Sequence, residues 1–302
     1  MSNYLISIVG PTAIGKTALS IKLAHYFKTE IISADSRQFF KEMQIGTAAP
    51  TAEELAAAKH YFIHHKSITD HYSVGAFEKE AITRLDELFK LQQTVIMVGG
   101  SGLYVDAVTK GLDDFPEVDK HIRQQLNANL KNLGLSHLQQ QLKTLDLESY
   151  NTIAIDNPHR VIRALEICIG TQKPYSSFLN KNKNTRNFKT ITIGLTAERS
   201  IIYNRINQRV DIMMQQGLLD EVKTLLPYQK LNALNTVGYK ELFNYLNGEW
   251  PLDFAVSEIK KNSRRFAKRQ LTWFKRNTET LWFDYATPVE DIIGACEGEI
   301  VK

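Results

Sequence analysis

The most specific chemical pattern in the chain is Gly10-Pro11-Thr12-Ala13-Ile14-Gly15-Lys16-Thr17. It matches Gly-x-x-x-x-Gly-Lys-Ser/Thr and lies between an apolar strand candidate and a predicted helix, the context that a phosphate-binding loop (P-loop) requires. Backbone N–H groups of such a loop surround phosphate oxygens, and Lys16 adds a full positive charge. The Thr17 hydroxyl is placed to ligate Mg²⁺. The motif predicts a phosphate site without specifying the phosphate compound.

A carboxylate follows the second strand candidate, residues 30–34, in the segment Asp35-Ser36-Arg37-Gln38. Ligands of open α/β sheets bind at the carboxyl ends of strands, and we expect this strand to lie beside the one that precedes the P-loop. Asp35 is therefore a candidate general base or Mg²⁺ partner. Capping of the next segment is the alternative interpretation.

A glycine-rich turn, Gly99-Gly100-Ser101-Gly102, follows the third strand candidate at residues 94–98. Glycines allow a substrate or another backbone to approach closely. A tight connection from strand to helix explains the same residues, so both interpretations stay open.

Basic side chains recur at helical spacing. Arg160 and Arg163 share one helix face, as do Arg205 and Arg209, although solvated helix faces explain such pairs equally well. Residues 260–276 contain eight basic side chains, interleaved with aromatic ones, and no acidic side chain. This composition predicts contacts with nucleic-acid phosphates; a helix that buries its aromatic rings is the alternative.

The elements that must position these residues follow an alternating pattern. Strand candidates are residues 5–9, 30–34, 94–98 and 189–195, with helix patterns between them. Alternation predicts an α/β fold, a parallel sheet flanked by helices, for residues 1–112 and 186–302. Residues 113–185 show helix patterns and no strand, which predicts an inserted all-helical subdomain.

Composition limits the class of protein. The 302 residues are 43% hydrophobic and 23% charged, which is typical of a soluble globular chain. Two cysteines exclude a disulfide framework and a cysteine-rich zinc site. No apolar run is long enough for a membrane span, and the first residues lack the pattern of a secretory signal. We expect a cytoplasmic monomer that does not bind a membrane.

The ordered set of motifs resembles the tRNA dimethylallyltransferases, also called tRNA isopentenyltransferases. The motifs are Gly10–Thr17, Ala34–Gln38, Ile45–Ala48, Gly99–Tyr104, Arg163–Glu166, Val237–Glu241 and Ala267–Trp273. Many unrelated enzymes share the P-loop alone, whereas the ordered set is highly specific. Two positions depart from the family: Ser101 stands where Thr is common, and Ala49 stands where Lys is common before Pro50.

The resemblance implies a P-loop core related to nucleotide kinases and an insert that grips the tRNA anticodon arm. It implies transfer of a dimethylallyl group from dimethylallyl diphosphate to N6 of the adenosine at tRNA position 37, with Mg²⁺ as cofactor. Residues 12–17 would bind the diphosphate together with Arg209. Asp35 would accept the N6 proton, and Ser101 would lie beside the adenosine.

The resemblance also implies a set of RNA contacts. They are Asp35, Ser36, Arg37, Gln38, Ser101, Arg123, His159, Arg160, Val161, Ile162, Arg163, Asn235, Thr236, Val237, Gly238, Tyr239 and Lys240. Two other functions remain open from the residues themselves. A P-loop kinase would use ATP, and a non-catalytic RNA-binding protein would have no use for an intact P-loop.

Overall fold

The computed structural model describes residues 2–179 and 186–301. The chain forms two compact units: a core unit of Met1–Thr109 with Arg186–Lys302, and an insert of Lys110–Thr185. The insert predicted from the sequence, residues 113–185, begins three residues later, and its last six residues lie outside the described part. Among the described residues, no helix is both long and apolar enough to cross a membrane.

The core unit contains one parallel sheet. Its strands are β1 (Asn3–Val9), β2 (Ile31–Ser33), β3 (His60–Tyr61), β4 (Thr94–Val98), β5 (Phe188–Thr196) and β6 (Leu281–Asp284). Their order in the sheet is β3-β2-β4-β1-β5-β6, and every neighbouring pair is parallel. The predicted α/β class is therefore confirmed. The two edge strands β3 and β6 were not predicted, because two to four residues are too few for a periodic signal.

The helices divide between the two units. In the core unit they are α1 (Lys16–Tyr26), α2 (Ala52–Ala57), α3 (Val74–Leu88) and α4 (Gly102–Lys110), and after the insert α9 (Arg199–Gln215), α10 (Leu218–Thr224), α11 (Tyr239–Leu246), α12 (Leu252–Phe274) and α13 (Val289–Val301). In the insert they are α5 (Lys120–Leu133), α6 (Leu135–Leu145), α7 (Leu147–Thr152) and α8 (Pro158–Thr171). The described part of the insert contains no strand, as predicted.

Burial on both faces explains why β1 is continuously apolar. Leu5 and Val9 pack into the cluster on one side of the sheet, and Ile6 and Ile8 pack into the cluster on the other. A parallel sheet needs helices on both faces, so its central strands lose the alternation of polar and apolar residues. The result is a rigid platform whose strand ends meet at one edge.

The strand order corrects one expectation. β4 lies between β1 and β2, so the strand that ends at Asp35 is not beside the one that ends at the P-loop. The glycine-rich turn after β4 therefore separates the two. Three loops, after β1, β2 and β4, meet at the carboxyl edge of the sheet, where ligands of open α/β sheets bind.

Candidate active site

The P-loop joins β1 to α1 by a tight turn. Lys16 is the first residue of α1, and Gly15 before it has a φ of 108°, a left-handed conformation that glycine adopts without strain. Ala13 also has a positive φ, 65°. The helix begins without a side-chain cap, so its first N–H groups are not taken by a capping side chain. This geometry makes the start of α1 an anion-binding position.

Lys16 supplies a full positive charge to this loop. Its Nζ donates hydrogen bonds to the carbonyl oxygens of Gly10 (3.1 Å) and Pro11 (2.8 Å). Burial lowers the pKa of Lys16 to about 8; the charge of Asp35 opposes this shift and that of Arg209 adds to it. Lys16 is therefore still a cation at neutral pH, held against backbone oxygens rather than against a carboxylate.

Two arginines of α9 approach the same loop. Arg205 Nε donates to the carbonyl oxygen of Ala13 at 2.7 Å, and Arg209 Nη1 lies 3.4 Å from the hydroxyl of Thr12. Burial, followed by the nearby charge of Arg205, lowers the pKa of Arg209. The predicted diphosphate contact Arg209 is thus placed at the P-loop.

Asp35 lies at the end of β2 and faces the same cavity. Its Oδ1 accepts the backbone N–H of Arg37 at 3.1 Å, so the capping interpretation is correct as far as it goes. Burial raises the pKa of Asp35, while that hydrogen bond and the positive charges of Lys16 and Arg37 partly oppose the shift. A half-buried carboxylate with a raised pKa, in the same cavity as the P-loop, has the properties of a general base.

The glycine-rich turn lies between the P-loop and the loop that begins at Asp35, and it contacts the latter through Ser101. The Ser101 hydroxyl donates to Ser36 Oγ at 3.1 Å and accepts the backbone N–H of Ser36 at 3.0 Å. A Cβ on Gly100 would lie 3.7 Å from Asp35 Oδ2 and would overlap the amide of Gln270. The turn also leads directly into α4, so the close-approach and strand-to-helix interpretations both hold.

Gln270, on the buried side of α12, reaches into the same cluster of loops. Its Oε1 accepts the backbone N–H of Thr12 at 2.8 Å, and its Nε2 donates to the carbonyl oxygen of Gly100 at 2.9 Å. The sequence prediction treated residues 260–276 as a basic face and assigned Gln270 no role. The only signal was its place in the motif Ala267–Trp273.

These groups line one cavity of about 1370 Å³, whose lining residues all belong to the core unit. Thr17 lines it beside Lys16. Within residues 2–179 and 186–301, no three His, Cys, Asp or Glu side chains cluster as a metal site. A cation that keeps several waters and binds through substrate phosphates fits this donor set, because Mg²⁺ commonly uses one or two protein oxygens beside a phosphate.

Glu221 of α10 holds the loop at residues 44–46, which lines another part of the cavity. One carboxylate oxygen accepts the N–H groups of Gln44 (3.0 Å) and Ile45 (2.7 Å). The other accepts the N–H of Gly46 at 3.0 Å and the hydroxyl of Tyr239 at 2.6 Å. Sequence reasoning missed Glu221, because an isolated acid on a helix carries no pattern.

Several predicted RNA contacts of the core unit already have partners within the chain. Arg37 donates to the carbonyl oxygens of Asn232 (3.1 Å) and Ala233 (2.8 Å). Gln38 donates to those of Thr47 (3.2 Å) and Ala48 (3.0 Å). These bonds hold the segment after Asp35 in place.

In the predicted segment 235–240, the side chains of Asn235 and Lys240 are exposed, while Thr236 and Val237 are half-buried. Gly238 is buried, and Tyr239 is fully buried with its hydroxyl bonded to Glu221. The hydrophobic cluster around α11 encloses the Tyr239 side chain, and its contact with RNA stays a prediction.

The predicted RNA contacts of the insert also include both exposed and buried side chains. His159 and Arg160 are exposed at the start of α8, which Asn157 caps and Pro158 begins. Val161 and Ile162 are buried where α8 packs against its neighbouring helices, and their contacts with RNA stay predictions. An amphipathic helix buries one face, and a continuous range of residues includes both faces.

Arg123 and Arg163 converge on a single carboxylate. Arg123 forms two hydrogen bonds of 3.0 Å to Glu166, and Arg163 adds a third of 2.9 Å. Burial alone would raise the pKa of Glu166, but the hydrogen bonds and charges of the two arginines lower it. Both arginines therefore have a structural partner inside the insert.

The basic stretch of α12 has two faces. Arg265, Lys268 and Arg269 of the helix are exposed, as are Lys275 and Arg276 directly after it, whereas Ala267, Gln270 and Phe274 are buried. Phe266 is exposed and lines the cavity together with Arg269. The prediction of a cationic surface and its alternative, burial of aromatic rings, therefore each describe one side of this helix.

Comparison with known proteins identifies the family of this chain. The family model described as IPP transferase matches residues 38–277. A tRNA dimethylallyltransferase of Flavobacterium johnsoniae is 62% identical over 296 residues, covering 96% of both chains. The tRNA dimethylallyltransferase 1 of Phocaeicola vulgatus is 49% identical and covers 94% of both.

Solved structures show the same likeness. The tRNA isopentenylpyrophosphate transferase of Bacillus halodurans is 38% identical, with a TM-score of 0.72 over 99% of this chain and 96% of its own. A eukaryotic dimethylallyltransferase, captured acting on tRNA, is 25% identical, with a TM-score of 0.82 over 94% of this chain and 74% of its own. The resemblance drawn from the motifs is confirmed: this chain belongs to the IPP transferase family.

Proposed function

We propose that the chain transfers a dimethylallyl group from dimethylallyl diphosphate to N6 of the adenosine at position 37 of tRNA, beside the anticodon. One observation carries the proposal beyond family membership. A carboxylate with a raised pKa, Asp35, and two cations, Lys16 and Arg209, line the same cavity without forming an ion pair with one another. A reaction that needs a base and releases an anion uses this combination.

The cations account for the donor half of the reaction. As the bond between C1 of the dimethylallyl group and the diphosphate oxygen breaks, the electron pair leaves with the diphosphate. Lys16, Arg209 and the N–H groups at the start of α1 stabilise that developing charge in a partly buried site, where electrostatic interactions are stronger than in water. Arg209 reaches the P-loop at the hydroxyl of Thr12.

Mg²⁺ would be held by the Thr17 hydroxyl and by the diphosphate itself. Bound there, it would act as a Lewis acid that further neutralises the leaving group. Lys16, Arg209 and the Thr12 hydroxyl are the other side-chain groups to which we assign the diphosphate.

Asp35 and Ser101 account for the acceptor half. An exocyclic amine of adenine is a poor nucleophile, so a carboxylate within reach of its proton lowers the barrier. The N6 lone pair forms the new bond to C1, and the N6 proton passes to a carboxylate oxygen of Asp35. Ser101, bonded to Ser36 next to Asp35, is the hydroxyl we assign to the incoming base.

RNA must deliver the base to this cavity. A base inside the anticodon stack has to be turned out, at a cost of a few kcal/mol, and single-stranded loops make this least costly. We assign the contacts to the exposed members of the predicted set other than Arg123, which Glu166 already binds: His159, Arg160, Asn235 and Lys240. Free, buried thiols at Cys168 and Cys296 suit the cytoplasm, where we expect the enzyme to act.

The proposal is tested by incubating the protein with Mg²⁺, dimethylallyl diphosphate and an anticodon stem-loop RNA, followed by mass spectrometry of the nucleosides. We expect one adenosine per RNA to gain C5H8, with one diphosphate released for each. An RNA with guanosine at position 37 is the matched control and should stay unmodified. Turnover of ATP without any change in the RNA would instead support a P-loop kinase.

A further inference from the structure

The residues that we assign to the donor and those that we assign to the acceptor lie on loops that follow different strands. The P-loop follows β1, Asp35 follows β2, and the turn that contains Gly100 and Ser101 lies between them. Loops of a few residues move more easily than the sheet beneath them. A reaction between two substrates therefore needs something that keeps the distance between these loops constant.

The side chain of Gln270 bridges the P-loop and the glycine-rich turn. The amide of Gln270 accepts from the Thr12 N–H at 2.8 Å with its oxygen and donates to the Gly100 carbonyl at 2.9 Å with its nitrogen. Gln270 is only 6% exposed, so little water competes for these bonds. A Cβ on Gly100 would overlap the amide nitrogen, so a larger residue at this position would displace the amide of Gln270.

The rest of α12 anchors this amide. Trp273, one turn further, donates from Nε1 to Asp106 of α4 at 2.9 Å. The ring of Trp273 packs where a Cβ on Gly102 would lie. Two successive contacts therefore tie α12 to the turn between β4 and α4. Among the hydrogen bonds of the described residues, the one from Thr12 to Gln270 extends this connection to the P-loop.

We infer that Gln270 is a positioning residue for prenyl transfer, whose amide fixes the P-loop and the turn of Gly100 and Ser101 at one separation. The inference rests on the proposed function. It also assigns the Thr12 N–H to Gln270 rather than to the diphosphate, so that Thr12 meets the diphosphate through its hydroxyl. Only a group that accepts at one end and donates at the other can replace the amide.

The variant Gln270→Glu tests this requirement with almost no change of shape. An ionised carboxylate still accepts from Thr12 but repels the Gly100 carbonyl, and single-turnover transfer at saturating substrates should fall about 100-fold near pH 8. A protonated carboxyl donates again, so the ratio of variant to parent rate should rise as the pH falls. Asp35, Lys16 and Arg209 face the site in every variant, and Gln270→Ala, which adds no titrating group, gives the pH dependence that they contribute.

Two further variants separate positioning from folding. Gln270→Ala should lose rate at every pH, with no recovery in acid. Ser257→Ala, an exposed change on the same helix, should keep the parent rate. Equal rates for Gln270→Glu and parent, or a ratio independent of pH, would overturn the inference. A parent that transfers no prenyl group at all would instead overturn the proposed function.

Discussion

Two arginines of the insert are bound to a carboxylate, whereas Lys16 and Arg209, which line the cavity, form no ion pair among the described residues. Arg123 and Arg163 share the carboxylate of Glu166, whose side chain is 8% exposed. Lys16 and Arg209 are half-buried, yet among the described residues neither forms an ion pair within 4.0 Å, and burial lowers the pKa of each. A fold that buries a charge usually pairs it, so unpaired cations in a cavity indicate an anionic ligand.

We expect removal of a cation from the cavity to reduce turnover more than removal of an arginine from the insert. Lys16→Ala deletes a charge at the leaving group, so turnover should fall at least ~100-fold and dimethylallyl diphosphate should bind more weakly. Lys22→Ala, an exposed change on the same helix, is the matched control and should keep the parent rate. Steady-state kinetics with tRNA measures both. Unchanged turnover in Lys16→Ala would show that the P-loop binds something other than the donor.

Two substitutions in the insert should have different effects, one on tRNA binding and the other on thermal stability. Arg160 is exposed and not ion-paired among the described residues, so Arg160→Ala should weaken tRNA binding and reduce the salt slope by about one. Arg163→Ala leaves Glu166 with one partner fewer, and we expect the thermal midpoint to fall by about 2–4 °C, corresponding to about 1 kcal/mol. Binding titrations at several salt concentrations and calorimetry distinguish the two. A double variant should combine both losses without changing diphosphate affinity.

A smaller effect concerns Asp35 and stability. Burial raises its pKa above the ordinary 3.8, so the folded chain holds this proton where the unfolded chain has released it. Its contribution to stability therefore decreases as the pH rises through that interval. Asp35→Asn should raise the thermal midpoint by about 1–2 °C at pH 7, and the gain should disappear near pH 4.

The exposed Asp114 offers a control for that measurement. Asp114→Asn changes the net charge by the same amount and should produce no comparable gain. Equal pH dependence in both variants would mean that the effect comes from total charge and not from burial of Asp35.

Sequence reasoning succeeded where function is encoded in neighbouring residues. The P-loop is contiguous, and Asp35 and Gly99 each follow an apolar strand, so strand ends alone indicate that they meet at one edge. It failed for the order of the strands, because pairing between distant segments leaves no mark in either one. For that reason β4 was not expected between β1 and β2.

The sequence did not predict which helix residues are exposed, for a second physical reason. Whether a residue of α8 or α12 faces solvent depends on how the helix is rotated against its neighbours. Val161 and Gln270 therefore turned out to be buried within stretches predicted to bind RNA. Glu221 was missed because its partners, the N–H groups of residues 44–46, belong to a loop far away in the chain.

The central claim is that Asp35 takes the proton while the cations hold the leaving group. It is tested most directly by the single-turnover rate of Asp35→Asn with dimethylallyl diphosphate and tRNA both saturating. The variant keeps the shape but cannot accept the proton, so we predict a loss of roughly 10²–10⁴-fold. The KM for tRNA should change less than about tenfold, because the defect lies in the chemical step. Transfer of the prenyl group at the parent rate would contradict the account.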